Sequence, residues 1–133
     1  MFVNDSIATS PERSMAALRS FDETIVLIAG GRDKHLPMED WAHLIGQRAR
    51  AAVLVGEAAP KIASALSAAG VEIPVVRVRS FAEVVAEAWR LARPGDVVLL
   101  SPGCTSFDEF RDYEARGEAF RAAVRSLMGR GGG

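Results

Sequence analysis

The chain has one cysteine, one tyrosine, no net excess of basic charge and no long apolar run. Each of these shortages excludes something. A single cysteine rules out an intramolecular disulfide framework and fits a reducing compartment, with the cytoplasm as the default. A formal net charge of -1 gives no electrostatic reason to bind nucleic acid. No run approaches the roughly 20 apolar residues that cross a bilayer. The first residues are polar and acidic, so they do not read as a signal peptide. There is no G-x-x-x-x-G-K-[ST] loop for nucleotide phosphates and no G-x-G-x-x-G dinucleotide fingerprint. Nor is there a repeat or an internal linker.

What is present is a hydrophobic fraction of 49% over 133 residues, enough for one domain with a real core. Strand-like and helix-like patterns alternate along it. Phe2-Val3 reads as a short first strand. Ser10-Pro11 reads as an N-cap and a first-turn proline, opening a helix to about Ser20 with Met15 and Leu18 inward. Thr24 to Ala29 is a continuous apolar run, as in a strand covered on both faces. Met38, Trp41, Leu44 and Ile45 have helical spacing. Ala51 to Val55 is a strand ended by Gly56. Ile62, Ala65, Leu66 and Ala69 form a helical stripe stopped by Gly70. Val75 to Val78 is strand-like, with Pro74 restricting pairing at its start. Ser80 and Glu83 form a capping-box pattern before an apolar face at Phe81, Val84, Val85, Ala88 and Leu91. Pro94-Gly95-Asp96 is a turn, and Val97 to Leu100 is the last clear strand. Tyr113, Phe120, Val124 and Leu127 suit a closing helix. The expectation is a single α/β domain over 1–128. It is Rossmann-like, with a mainly parallel sheet of about five or six strands and helices on both faces. The crossovers are expected to be right-handed. The glycine-rich tail, 129–133, is expected to fray.

Three polar turns stand out on this frame: Asn4 to Pro11, Ala29-Gly30-Gly31-Arg32-Asp33-Lys34, and Leu100-Ser101-Pro102-Gly103-Cys104-Thr105-Ser106-Phe107-Asp108. The last two follow strands, and in open α/β sheets ligands bind at the carboxyl ends of strands. Helix-start amides there favour a carboxylate or phosphate. Lys34 can pair with a substrate carboxylate, or be a solvated surface lysine. Ser106 with Glu109 makes a capping box, and its hydroxyl can also donate to a ligand carboxylate. Cys104 sits on a strand-to-helix turn, but the position six residues on is Phe110, not a phosphate-holding arginine. A small semi-buried cysteine is the simpler account. His35 and His43 do not form a recognised metal spacing with Cys104. Asp5, Asp33, Asp108 and Asp112 lie where aspartate favours turns and caps. Trp41 and Trp89, on helical faces, read as core or interface residues.

Taken in order, these three motifs, with Glu114-Ala115-Arg116-Gly117 downstream, resemble the C-terminal domain of the Mur ligases, nearest to those that add D-glutamate. The resemblance spans almost the whole chain. It implies one part of a three-domain, ATP-dependent enzyme of peptidoglycan synthesis. There ATP phosphorylates the carboxylate of UDP-N-acetylmuramoyl-L-alanine, and the D-glutamate amine attacks the acyl phosphate. The ATP loop and the magnesium ligands belong to a central domain. A lone third domain would lack the phosphate loop, as this chain does, and would be inactive by itself. The start just before the first motif fits that reading.

Residue by residue, Lys34 matches a lysine holding a D-glutamate carboxylate, and Ser106 a serine on the same substrate. Phe107 falls within that substrate motif, and Tyr113 stands where phenylalanine often packs on the glutamate. Thr9 matches a threonine at the amino-acid and nucleotide edge, and Asp5 an aspartate near the nucleotide. Ile7 replaces a lysine that reaches the phosphates in some members, and an apolar side chain cannot make that contact. Gly103 and Thr105 replace common alanines. No residue here reads as a general base, so the implied role is positioning. Two other readings of the same turns remain: a free-standing module binding a small anion, and a hydrolase using Cys104.

Overall fold

The computed structural model describes residues 2–5, 8–32, 35–104 and 113–131. Among these, five parallel strands form one sheet, in the order β1-β5-β2-β3-β4. The strands are β1 (Phe2–Asn4), β2 (Ile25–Gly30), β3 (Ala49–Val55), β4 (Val75–Val78) and β5 (Val97–Gly103). The helices between and after them are α1 (Pro11–Arg19), α2 (Glu39–Arg48), α3 (Ala59–Ala68), α4 (Val84–Leu91) and α5 (Tyr113–Gly131). The last includes the first residues of the glycine-rich tail.

Alternation along the strands sorts the core into two layers. Ile25, Leu27, Ala52, Leu54 and Leu99 face α1, α2 and α3, where they meet Leu18, Trp41, Ile45, Ile62 and Leu66. Val26, Ile28, Val53, Val98 and Leu100 face α4 and α5, against Val84, Val85, Ala88 and Phe120. Every residue of β2 is buried, as its unbroken apolar run requires. The layering follows from connectivity. The connections from β1 through β4 advance in one direction across the sheet, and the connection to β5 reverses it. Crossovers of one hand must then place α4 on the face opposite α1–α3.

Local chemistry sets most boundaries. Ser10 caps α1 by accepting from the Arg13 amide, and Pro11 occupies the first turn. Gly70, with φ +73°, closes α3; its amide donates to Ser67 and the Val71 amide to Leu66. Phe81–Glu83 is a 3₁₀ turn ahead of α4, and the Ser80 hydroxyl donates to the Glu83 carboxylate at 3.2 Å.

One boundary differs from the sequence expectation. Ser101, Pro102 and Gly103 were expected in the turn after Leu100, yet they extend β5. A proline in a central strand needs a place where its missing N–H is not required. That place exists because β1 ends at Asn4, opposite Leu100, and because the β2–β5 register shifts between Ile28 and Gly30.

Candidate functional site

β5 lies between β1 and β2. The helices that follow β1 and β2 lie on one face of the sheet, whereas α5 lies on the other. The chain therefore leaves β5 toward one face and both of its neighbours toward the other. Such reversals open a crevice at the carboxyl ends of parallel strands.

The loop after β1 is laced to β5. The Asp5 amide donates to Leu100 at 2.7 Å, the Ala8 amide to Asp5 at 3.0 Å, and the Gly103 amide to Ala8 at 2.8 Å. Asp5 Oδ2 accepts from the Ser101 hydroxyl at 2.8 Å. Burial raises the Asp5 carboxyl above its usual range, while the Ser101 hydrogen bond and the Arg13 charge pull the other way. Behind this contact runs a buried chain. Trp41 Nε1 donates to Ser14 Oγ at 3.0 Å, and that hydroxyl donates to the Ser101 carbonyl at 2.9 Å. Ser14 sits on the inner face of α1, where a buried hydroxyl must find partners. Thr9 follows the loop and is half-buried.

At the end of β2 a glycine pair turns the chain over β3. A Cβ on Gly30 would stand 1.9 Å from the Val55 carbonyl oxygen. The Gly31 amide donates to that same oxygen at 3.1 Å, and Gly31 in turn accepts from the Ala58 amide at 2.9 Å. His35 has φ +61° and is exposed. It lines a cleft of about 540 Å³ with His43 and Lys61, between the segment leading to α2 and helix α3. Among the described residues no group of three or more His, Cys, Asp or Glu is placed to hold a metal ion.

The first turns of α5 meet the sheet from the other side. Arg116 is 2% exposed. Its Nη1 donates to the carbonyls of Cys104 at 3.1 Å and Gly30 at 3.4 Å. The Asn4 side-chain amide donates to the Gly117 carbonyl at 3.2 Å. Desolvation lowers the Arg116 guanidinium to about 10, so it remains charged at neutral pH. Cys104 is 2% exposed, which withholds it from the role of surface nucleophile.

Of the sequence candidates, Asp5 follows the end of β1 and Thr9 precedes the Ser10 cap of α1. Lys34, Ser106 and Phe107 lie outside the described residues, as do Asp33, Asp108, Asp112 and the Ser106–Glu109 capping box. Tyr113 opens α5, and its side chain is likewise outside the description. Trp41 is core, whereas Trp89 is 50% exposed and stacks on Phe2 at a ring separation of 5.5 Å. In the sequence Arg116 stands out only as part of the Glu114-Ala115-Arg116-Gly117 motif. A signal for its burial existed: it stands one helical turn before Phe120, on the same apolar face.

Among the described residues, an all-parallel sheet with helices on both faces and a crevice beside β5 defines an open-sheet α/β domain. The comparisons make this specific. The chain belongs to the family described as "Mur ligase, glutamate ligase domain", whose profile matches residues 1–104. It is 51% identical over 128 residues to the UDP-N-acetylmuramoylalanine–D-glutamate ligase of Roseiflexus sp. (strain RS-1), covering 95% of this chain. It is 43% identical over 132 residues to the ligase of the same name from Acetivibrio thermocellus, again over 95% of this chain. The chain spans 28% of the length of each of these relatives. A solved domain from a Haemophilus ducreyi protein titled as a UDP-N-acetylmuramate:L-alanyl-gamma-D-glutamyl-meso-diaminopimelate ligase shares the fold. Its TM-score is 0.63 at 14% identity, covering 95% of this chain and 89% of that one. The UDP-N-acetylmuramate–alanine ligase of Thermotoga maritima aligns with a TM-score of 0.56 at 17% identity, over 90% of this chain and 26% of that one.

Proposed function

We propose that this domain serves an ATP-dependent ligase that joins D-glutamate to UDP-N-acetylmuramoyl-L-alanine in peptidoglycan synthesis. The observation that carries the reading is identity of 43–51%, over 95% of the chain, to relatives bearing that enzyme's name. The crevice beside β5 supports it, because polar strand-end loops suit an amino acid with two carboxylates.

In this reading Lys34 and Ser106 hold a glutamate carboxylate, Phe107 and Tyr113 flank the carbon chain, and Thr9 and Asp5 meet the nucleotide edge. Their work is positioning. They align the amine with an acyl phosphate formed from ATP outside this domain, so that nitrogen attacks the carbonyl and phosphate leaves. Alignment of this kind supplies several kcal/mol of barrier reduction. Closure over the intermediate also keeps out water that would hydrolyse it. Bound magnesium would neutralise phosphate charge, but the described residues offer it no ligand cluster. In this reading ATP and magnesium are held mainly by the central domain of the complete enzyme. No helix among the described residues is long and apolar enough to cross a membrane, and a cytoplasmic location goes with the proposed reaction.

The test is an NMR titration of the labelled chain with D-glutamate, using L-glutamate as control. Shifts confined to amides near Thr9, Lys34 and Ser106, with preference for the D form, are expected. Equal shifts for both forms, or shifts elsewhere, would overturn the assignment in favour of a less selective anion-binding module.

A further inference from the structure

Three strand ends meet one turn of α5. Arg116 reaches β2 through Gly30 and the end of β5 through Cys104. Its neighbour Gly117 accepts from Asn4 of β1. The arrangement has a cost: a guanidinium 2% exposed loses its hydration, and its charge meets carbonyl dipoles in these contacts. An apolar residue would fill the same space more cheaply, as Phe120 does one turn later. What an apolar residue cannot do is donate to two carbonyls from different strands, as Arg116 Nη1 does.

The carbonyls it holds are those at which the two strands end. Gly30 is already turning away with φ +131°, and Cys104 follows Gly103 at φ +70°. Gly30 still registers with Val55 and Gly103, but the β2–β5 register shifts just before it, and Cys104 lies beyond the last residue of β5. Side-chain hydrogen bonds therefore supply what the ladder does not.

We infer that Arg116 is a positioning residue: with Asn4 and Gly117 it fixes the spacing of the β1, β2 and β5 ends, and so the geometry of the ligand crevice. At 2% exposed it is withdrawn from the crevice surface. It acts through the backbone at Gly30 and Cys104. The functional half of this inference rests on the proposed D-glutamate reading; the structural half does not.

The test compares Arg116→Met, which keeps length and loses the donors, with Arg116→Lys, which keeps charge and one donor group. Amide exchange in the full chain reads the strand ends directly. The Asp5, Gly31 and Gly103 amides bond to Leu100, Val55 and Ala8, whereas Ala52 and Val97 bond to Pro74 and Thr24 elsewhere in the sheet. Arg116→Met should speed exchange at Asp5, Gly31 and Gly103 together by about tenfold while Ala52 and Val97 change little. Arg116→Lys should restore part of that protection. Uniform acceleration at all five amides would reduce Arg116 to general packing and overturn the inference, as would unchanged rates. Should Arg116→Met not fold, the same five amides in Arg116→Lys decide the matter. D-glutamate titration of the same variants reads the functional half, with about tenfold weaker binding expected in Arg116→Met. If the unaltered chain ignores D-glutamate but the three amides still loosen together, the function assignment fails and the positioning role stands. If the unaltered chain binds D-glutamate and Arg116→Met binds equally well, the positioning role fails alone.

Discussion

Asp5 and Ser101, 96 residues apart in sequence, share a 2.8 Å hydrogen bond that joins the end of β1 to β5. The serine donates and the carboxylate accepts, so the contact favours ionised Asp5, while burial disfavours it more strongly. Because the folded carboxyl titrates above its unfolded value, ionisation opposes folding. Asp5 favours the fold fully below the unfolded value of about 3.9 and loses that contribution as pH rises through the folded value. Asp5→Asn is therefore expected to raise the melting temperature at pH 7 and to leave it nearly unchanged at pH 3. Calorimetry at the two pH values checks this. A lower melting temperature at pH 7 would mean that the hydrogen bond outweighs desolvation.

Lys34→Ala is expected to weaken D-glutamate use in the complete ligase by roughly 1.5–3 kcal/mol, the scale of a charged hydrogen bond. Steady-state kinetics with D-glutamate as the varied substrate measures it. Unchanged KM and kcat would remove Lys34 from the site.

Gly103 has φ +70°, and a Cβ there would stand 2.5 Å from the Trp41 ring. Gly95 has φ +91° with open space around it. Gly103→Ala should therefore destabilise the chain by about 2–4 kcal/mol, from backbone strain plus displacement of a core tryptophan. Gly95→Ala should cost only the strain, about 1 kcal/mol. Urea unfolding of both variants separates the contributions, and equal losses would show that Trp41 gives way freely.

Arg50 and Asp96 make a paired contact, Nε to Oδ2 at 2.7 Å and Nη2 to Oδ1 at 3.1 Å, and Asp96 also accepts from the Arg93 amide. The Arg50 hydrogen bond holds the Asp96 carboxyl below its usual range against the opposing effect of burial. A depressed carboxyl stabilises the fold above its unfolded value, near 3.9, and loses that contribution as pH falls through the folded value. Asp96→Asn should accordingly shallow the loss of stability on acidification below about pH 4. Unfolding midpoints at pH 3 and pH 6 test it; an unchanged difference between them would exclude the pair from acid sensitivity.

The fold was legible because its signals are local. The unbroken Ile25–Ala29 run, the Ser10-Pro11 cap and Gly70 each report their own surroundings. The end of β5 was misread for the complementary reason. Ser101-Pro102-Gly103 has turn chemistry, and only the shortness of β1 and the shifted register beside Gly30 make room for it in a strand. Strand order depends on which crossover reverses, which no residue pattern encodes. In the candidate site, Asp5 and Thr9 are proposed from their motif. Ser14 and Arg116 draw their importance from partners on other strands, Ser101 for one and Gly30 and Cys104 for the other. Such pairings become visible only after folding.

The sheet order also governs when the crevice can exist during synthesis. β2, β3 and β4 can pair with one another in the order in which they leave the ribosome. β1 cannot, because within the described sheet its partner is β5, with Phe2 beside Val98. The first strand made must wait for the last. A nascent chain halted before Val97 would carry its Asp5 loop without its partners Leu100 and Ser101, and the crevice beside β5 would be the final part of the described sheet to mature.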